Sequence, residues 1–442
     1  MLSLKTKRSI LAVAAGVSAV ALALTGCSSG GGTGTGASAT SKQTISFLID
    51  NSDANVKLAK GLIADYAKIA PKVTVKLETR PAGSDGDNLI KTRLSTGTMN
   101  DVFFYNSGSL FQALAPEKNL VDLTNQPFVA NTDPGFKTVV TSNNKVYGAP
   151  AGTAMGGAIL YNKKVYADLG LTVPKTWDDF IANSQKIKAA GKIPIIQTYK
   201  DTWTSQLFVL GDFANVTAAE PNWAKDYTAN KAKYATDPIA AAGFNHLEQV
   251  HSLGLLNKDF GSATFDQGLK MLATGQGVQY PMLTFAVSTI IANYPDNAKD
   301  IGVFAIPGTD ASKNILTTWE PAAVYIPKTT KHLAAAEGFV NFIASTKGCD
   351  SQTKSSGITG PYLVKGCDLP ADVPTYVADM LPYFQAAGGT SPALEFVSPI
   401  KGPSLEQITV AVGSGITPAA KGAAQYDNDV KKQAQQLGIS GW

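Results

Sequence analysis

Hydrophobic and polar positions change rhythm several times along this chain, and each rhythm predicts a different element. Residues 10–24 are apolar almost throughout, about fifteen in a row, too short to span a bilayer comfortably. Residues 28–41 are Gly, Ser, Thr and Ala without a charge, the composition of a flexible tether. Patterned sequence begins at Thr44-Ile45-Ser46-Phe47-Leu48-Ile49, a β-type run. Val56, Leu58, Leu62, Ile63, Tyr66 and Ile69 then recur near helical spacing until Pro71 stops them. Val73-Thr74-Val75-Lys76-Leu77 alternates as a strand, 88–94 predicts a helix, Asp101-Val102-Phe103-Phe104-Tyr105 a buried strand and 109–115 the helix leaving it. Later, Thr176 with Asp179 makes a capping-box-like start to a helix through Phe180, Ile181 and Ile187, closed by Gly191. Ile193-Pro194-Ile195-Ile196 reads as a strand, and 239–252 and 333–343 as helices. Strand–helix alternation predicts an open α/β sheet, whose ligands bind beyond the carboxyl ends of its strands.

The first apolar run acquires meaning from its flanks. Lys5, Lys7 and Arg8 precede it and Leu24-Thr25-Gly26-Cys27 follows, so 1–26 reads as a signal peptide. The last four residues resemble the bacterial lipobox, which implies cleavage before Cys27, its lipidation, and durable membrane anchorage through more than one acyl chain. Residues 27–42 then hold the folded body near the extracytoplasmic face of the cell membrane. Three of the positive charges behind the formal net charge of +4 sit in the leader, so the remainder is nearly neutral. A neutral chain has no electrostatic reason to seek nucleic acid. Hydrophobic residues at 44% and charged ones at 16% suit an ordinary globular core. With Cys27 committed to lipid, Cys349 and Cys367 remain as an even pair in an oxidising compartment, which predicts a disulfide. No His or third Cys stands at ligand spacing from them, so they are not expected to hold a metal, and no cofactor is assigned.

Several segments in order resemble family 1 extracellular solute-binding proteins of bacterial ABC importers. They are Leu62-Ile63-Ala64-Asp65-Tyr66 before Pro71, Lys91-Thr92-Arg93-Leu94 leading to Asp101-Val102-Phe103, Val146-Tyr147-Gly148-Ala149-Pro150, Leu160-Tyr161-Asn162-Lys163-Lys164, and Val173-Pro174-Lys175-Thr176-Trp177-Asp178-Asp179-Phe180. The resemblance implies a two-lobed, type II periplasmic-binding-protein-like α/β fold, with a hinge between lobes and the ligand cleft at their interface. It divides the chain into a first lobe of 43–153 with 301–345 and a second of 154–300 with 346–442. It implies a monomeric receptor that captures a carbohydrate, mono- or oligosaccharide, and delivers it to a permease with a separate ATPase.

A sugar presents apolar C–H faces and a rim of hydroxyls, so its site needs flat rings and paired polar acceptors. Asp201 and Trp203 supply both in one loop after a strand, and Trp319 and Glu320 repeat the pairing just before the expected strand 322–326. By resemblance, Asn51, the strand-ending Tyr105 and Asn106, Thr153 at the first lobe crossing, and Tyr280 and Phe285 join them as ligand-binding candidates. Trp177, Trp223 and Trp442 are read as structural. A peptide or polyamine receptor and a glycan-active enzyme are the alternatives. His246, His251 and His332 are the only histidines, no H-E-x-x-H or Walker loop occurs, and the one G-x-S-x-G straddles Cys27. No catalytic residue is therefore assigned.

Overall fold

The computed structural model describes residues 42–371 and 373–442; the leader, Cys27 and nearly all of the tether lie outside them. The described chain is built on two large sheets, beside a two-stranded hairpin of Thr141–Ser142 and Lys145–Val146. The first has the order Val73–Arg80, Gln43–Asp50, Val102–Tyr105, Ala323–Tyr325, Gly148–Pro150. Its first three strands are parallel, so Asp50, Arg80 and Tyr105 end together at one rim. Ala323–Tyr325 runs antiparallel to both of its neighbours. Helices Asp53–Ile69 and Leu333–Ile343 cover one face, where Tyr66 packs on Phe339 with ring centroids 5.1 Å apart.

The second sheet has the order Thr390–Pro392, Leu316–Trp319, Met155–Asn162, Gly277–Leu283, Ile193–Ile195. Ile301–Ala305 pairs with the far half of Met155–Asn162. Its larger core gathers Phe180, Phe208, Trp223, Tyr227, Phe244 and Tyr426. The three structural tryptophans have partners: Trp177 stacks on His246 and donates to Gln249, Trp223 donates to Asp237, and Trp442 donates to the Thr228 carbonyl. No helix among the described residues is long and apolar enough to cross a membrane.

The lobe boundaries expected from the sequence need correction at two places. Residues 301–319 belong with the second sheet, because the long strand Met155–Asn162 needs partners along both sides. Gly277–Leu283 covers one side, while Ile301–Ala305 and Leu316–Trp319 cover the other in succession. Beyond 345, helix Thr346–Ser356 still packs on Asp53–Ile69, and Gly61 leaves just enough room for Ser355. Cys349, in the first core, forms the disulfide with Cys367. The helix expected over 109–115 shrinks to Ser109–Gln112, because Ala115 turns to φ +50 before Pro116.

Two buried groups in the second core oppose each other in acid. Burial depresses the His246 pKa to about 3 from 6.5, so the unfolded chain takes a proton that the fold refuses, and stability is lost as pH falls below about 6.5. Burial lifts the Asp212 pKa from 3.8 to about 7, against a hydrogen bond from Asn215, so the stability it lends below about pH 4 drains away as pH rises towards 7. Between about pH 4 and 6.5 the two slopes have opposite signs. Asp212→Asn keeps the Asn215 contact and removes one slope. The urea midpoint of that variant is expected to fall more steeply than that of the parent on acidification from pH 6.5 to 4.

Candidate functional site

The chain crosses between the sheets at 151–154, from Gly148–Pro150 into Met155–Asn162, and returns at 320–322, from Leu316–Trp319 into Ala323–Tyr325. The crossings are tied together. Ala151 N–H donates to the Ala322 carbonyl at 3.0 Å, and Ser107 Oγ to the Pro321 carbonyl at 2.9 Å. A third segment leans on them: Ala154 N–H donates to Pro361, and the Thr153 and Thr359 hydroxyls meet at 2.6 Å. All of these lie at the edge of the first sheet formed by Gly148–Pro150.

Above the crossings opens a cavity of about 480 Å³, walled by the carboxyl-terminal rim of the first sheet and by the second-sheet region. Eight of the ten candidates line it: Asn51, Asn106, Thr153, Asp201, Trp203, Phe285, Trp319 and Glu320. Trp203 is half-buried and forms an aromatic wall with Phe265, 5.2 Å away, and Phe285, 6.1 Å away and near-parallel. Trp319 is 5% exposed. It lies against Gly157, where any Cβ would collide with the ring, and its indole N–H donates to Glu395.

The structure corrects two candidates to core positions. Tyr105 is fully buried beneath Arg80, whose guanidinium sits 5.7 Å above its ring, and Tyr280 is fully buried and bonded to Thr198. Both strands are covered on two faces, so these rings stay inward, and the cleft is met past them by Asn106 just after one strand and by Leu283 and Phe285 at and beyond the end of the other. Asp201 keeps a structural task as well, since its carboxylate accepts from Phe265 N–H at 2.7 Å and joins the Thr264–Gln267 capping box in starting helix Phe265–Ala273.

Glu320 differs from the other cleft acids. Its Oε2 is buried without a hydrogen-bond partner among the described residues, and burial, with the Asp133 carboxylate adding to it, lifts its pKa to about 7. A buried acceptor without a partner is costly, and a donor supplied by a ligand would relieve it.

Sequence reasoning missed a charged group at the opposite edge of the cleft. Glu395 accepts from Trp319 and pairs with Lys401 at 2.9 Å. Burial works against the Lys401 ammonium, but Glu395, with Glu406 and Asp87 behind it, outweighs that and holds its pKa above the usual value. Asp87 is pushed up by burial and Glu406, with Arg80 and Lys401 opposing. Glu406 Oε2 accepts from Ser84 Oγ at 2.7 Å and from Thr202 Oγ1 at 2.6 Å. Ser84 follows the first sheet's other edge strand, Val73–Arg80, whereas Thr202 and Glu406 belong to the second-sheet region. Glu406 therefore clasps the two halves at the edge farthest from the crossings. An available signal was Glu395 set inside the apolar run Leu394-Glu395-Phe396-Val397. Phe265 was likewise legible from the capping-box spacing of Thr264 and Gln267. Among the described residues, no group of three or more His, Cys, Asp or Glu is arranged to hold a metal.

Comparison with known proteins places this geometry. The family model described as bacterial extracellular solute-binding protein matches residues 51–348. The multiple sugar-binding protein of Streptococcus mutans is 27% identical over 330 residues, covering 74% of this chain and 76% of its own length. The diacetylchitobiose binding protein DasA of Streptomyces coelicolor is 26% identical over 309 residues, 67% of this chain and 68% of its own. Among solved structures, a chitin oligosaccharide binding protein superimposes with a TM-score of 0.77 at 18% identity, over 89% of this chain and 99% of that one. RafE in complex with raffinose gives 0.71 at 24% identity, over 89% and 99%. At these identities the structural likeness speaks for the two-lobed fold.

Proposed function

Because this chain belongs to the bacterial extracellular solute-binding proteins, we propose that it is a receptor that captures a carbohydrate in this cleft and hands it to an ABC permease with a separate ATPase. It does so as a monomer tethered through lipidated Cys27 to the outer face of the cell membrane. One observation carries the ligand class: an aromatic wall around Trp203 faces a rim of hydroxyl- and carboxylate-bearing side chains in a cavity of about 480 Å³. Rings cover the C–H faces of a sugar, and Asn51, Asn106, Asp201 and Glu320 can take its hydroxyls. The relatives named for sugars support the same class. The protein acts as a binder and performs no chemistry on its guest.

Capture works by closure about the crossings. Ligand drives closure only through its differential affinity for the closed form, which a cleft divided between two halves supplies. A thermal-shift panel of mono-, di- and trisaccharides tests the reading, since a ligand at about 100 times its Kd stabilises by roughly 2.7 kcal/mol. Small-angle scattering with the same sugar should show compaction. A panel without a shift refutes the carbohydrate assignment, and unchanged dimensions at saturation refute closure.

The clasp makes a separate prediction. Ser84→Ala removes the hydroxyl that Glu406 reaches across the cleft and leaves Thr202 on its own side. Losing that charge-assisted hydrogen bond, together with the one Ser84 Oγ accepts from Gln407 Nε2 at 3.2 Å, is expected to weaken affinity by about threefold to tenfold. The melting temperature of the ligand-free protein should stay within a degree or so of the parent's. Isothermal titration calorimetry reads the first and a melting curve the second.

A further inference from the structure

The charges around the cavity are far from balanced: seven carboxylates line it, against two cations, Arg80 and Lys401. Lys401 is ion-paired, whereas Arg80 is held by backbone carbonyls and keeps its Nε without a partner among the described residues. Lys401 is 13% exposed, paired with Glu395 at 2.9 Å, and faces Glu406 and Asp87 as well. Arg80 is 5% exposed. It donates to the Pro81 carbonyl at 2.8 Å and reaches the Phe104 carbonyl at 3.5 Å, lies over the Tyr105 ring, and has Asp87 acting on it. Arg80 is almost wholly buried, so among the described residues lining the cavity the seven carboxylates outweigh the positive charge a guest would meet.

The carboxylates are not all engaged in return. Asp50 is occupied by Ser52 and Asn55, Asp201 by Phe265 N–H, and Glu406 by Ser84 and Thr202. Glu320 keeps Oε2 without a partner, with Asp133 beside it. Asp266 is set against Asp53 and Asp201, like charges at the start of two different helices. Glu320 and Asp266 are therefore anionic acceptors left for a guest, beside the neutral amides of Asn51 and Asn106.

We propose that the cleft is charge-selective: it takes a neutral or amine-bearing saccharide and turns away uronates and sugar phosphates. This rests on the carbohydrate reading above and adds the sign of the charge that the guest is allowed to carry. Like charges brought together in a partly desolvated site cost several kcal/mol, so an acidic analogue is expected to bind at least ~50-fold more weakly than its neutral parent.

The test compares three forms of one sugar. Melibiose, raffinose, stachyose and N,N′-diacetylchitobiose are screened by thermal shift. The best binder is then prepared with one primary hydroxyl oxidised to the carboxylate and, separately, with that carboxylate converted to the neutral amide. Titration calorimetry at pH 8, above the value near 7 to which Glu320 is lifted, gives the three affinities. The amide should bind within about fivefold of the parent and the carboxylate at least ~50-fold more weakly, with that gap narrowing at 1 M NaCl. Glu320→Gln should narrow the gap at low salt. If diacetylchitobiose is the best binder, its de-acetylated amine form should bind no more weakly than the parent. A carboxylate that binds as well as its amide overturns charge selectivity and leaves the carbohydrate reading intact. An amide that fails along with the carboxylate assigns the loss to size and also overturns it. If none of the four sugars shifts the melting curve while another solute does, it is the carbohydrate reading that falls.

Discussion

Replacing Trp203 by alanine is expected to weaken capture of the cognate saccharide at least ~30-fold, the loss that follows truncation of an aromatic anchor worth about 2 kcal/mol or more. Trp203 and Phe285 supply the half-buried, accessible part of the aromatic wall, and the buried Phe265 packs against Trp203. Because the ring is only half-buried, the ligand-free variant should lose no more than about 1–2 kcal/mol of stability. Calorimetric titration beside a urea curve separates the two effects, and Trp203→Phe should recover part of the affinity. Wild-type binding by the alanine variant would move the site elsewhere in the cleft. Trp319 is the poorer probe. It is almost wholly buried against Gly157 and bonded to Glu395, so its truncation would cost about 3–5 kcal/mol of stability and confound any change in binding.

The paired substitutions Cys349→Ser and Cys367→Ser form the second large expectation. The two residues close a loop of sequence separation 18, and opening it should cost about 3 kcal/mol. The effect should extend beyond stability, because this loop carries Thr359 and Tyr362 to the floor of the cleft. Within it, Leu363 accepts from Asp133 N–H and Lys365 N–H donates to Asn131. With the staple gone, the contacts of Thr359 and Pro361 with the 153–154 crossing should loosen, and saccharide affinity should fall with stability. A reductant added to the parent should reproduce both changes. A variant that is less stable yet binds with unchanged affinity would confine the disulfide to folding.

Much of the first sheet was legible because its strands are short apolar runs with helices of clear period between them. Gln43–Asp50, Asp53–Ile69 and Val73–Arg80 follow the pattern closely, and Thr176 caps its helix through Asp179 N–H at 3.2 Å. Trp203 and Trp319 stood out because each is a ring beside a carboxylate near a strand end, and both line the cavity. Tyr105 and Tyr280 went the other way. Period-2 reading shows that neighbours face opposite sides, but in a strand covered on both faces it cannot say which side meets the cleft. The Glu395, Lys401 and Glu406 group was hidden for another reason. Its meaning lies in partners such as Ser84, 322 residues earlier in the chain, and no local pattern records such a meeting. The lobe boundaries failed similarly, since strand pairing along Met155–Asn162 decides them and local composition does not.

The interior place of Ala323–Tyr325 sets the timetable on which this molecule can assemble. The strand slots between Val102–Tyr105 and Gly148–Pro150, where Ala323 sits opposite both Tyr105 and Pro150. Until residue 325 is available, the earlier strands have a gap instead of a neighbour, and joining segments so far apart is slow. A polypeptide threaded outward amino end first would therefore emerge for most of its length before its leading half could lock. Were the chain exported as proposed, that delay would keep it pliable during passage and postpone the folded state to the far side of the membrane, where the cysteines could also oxidise.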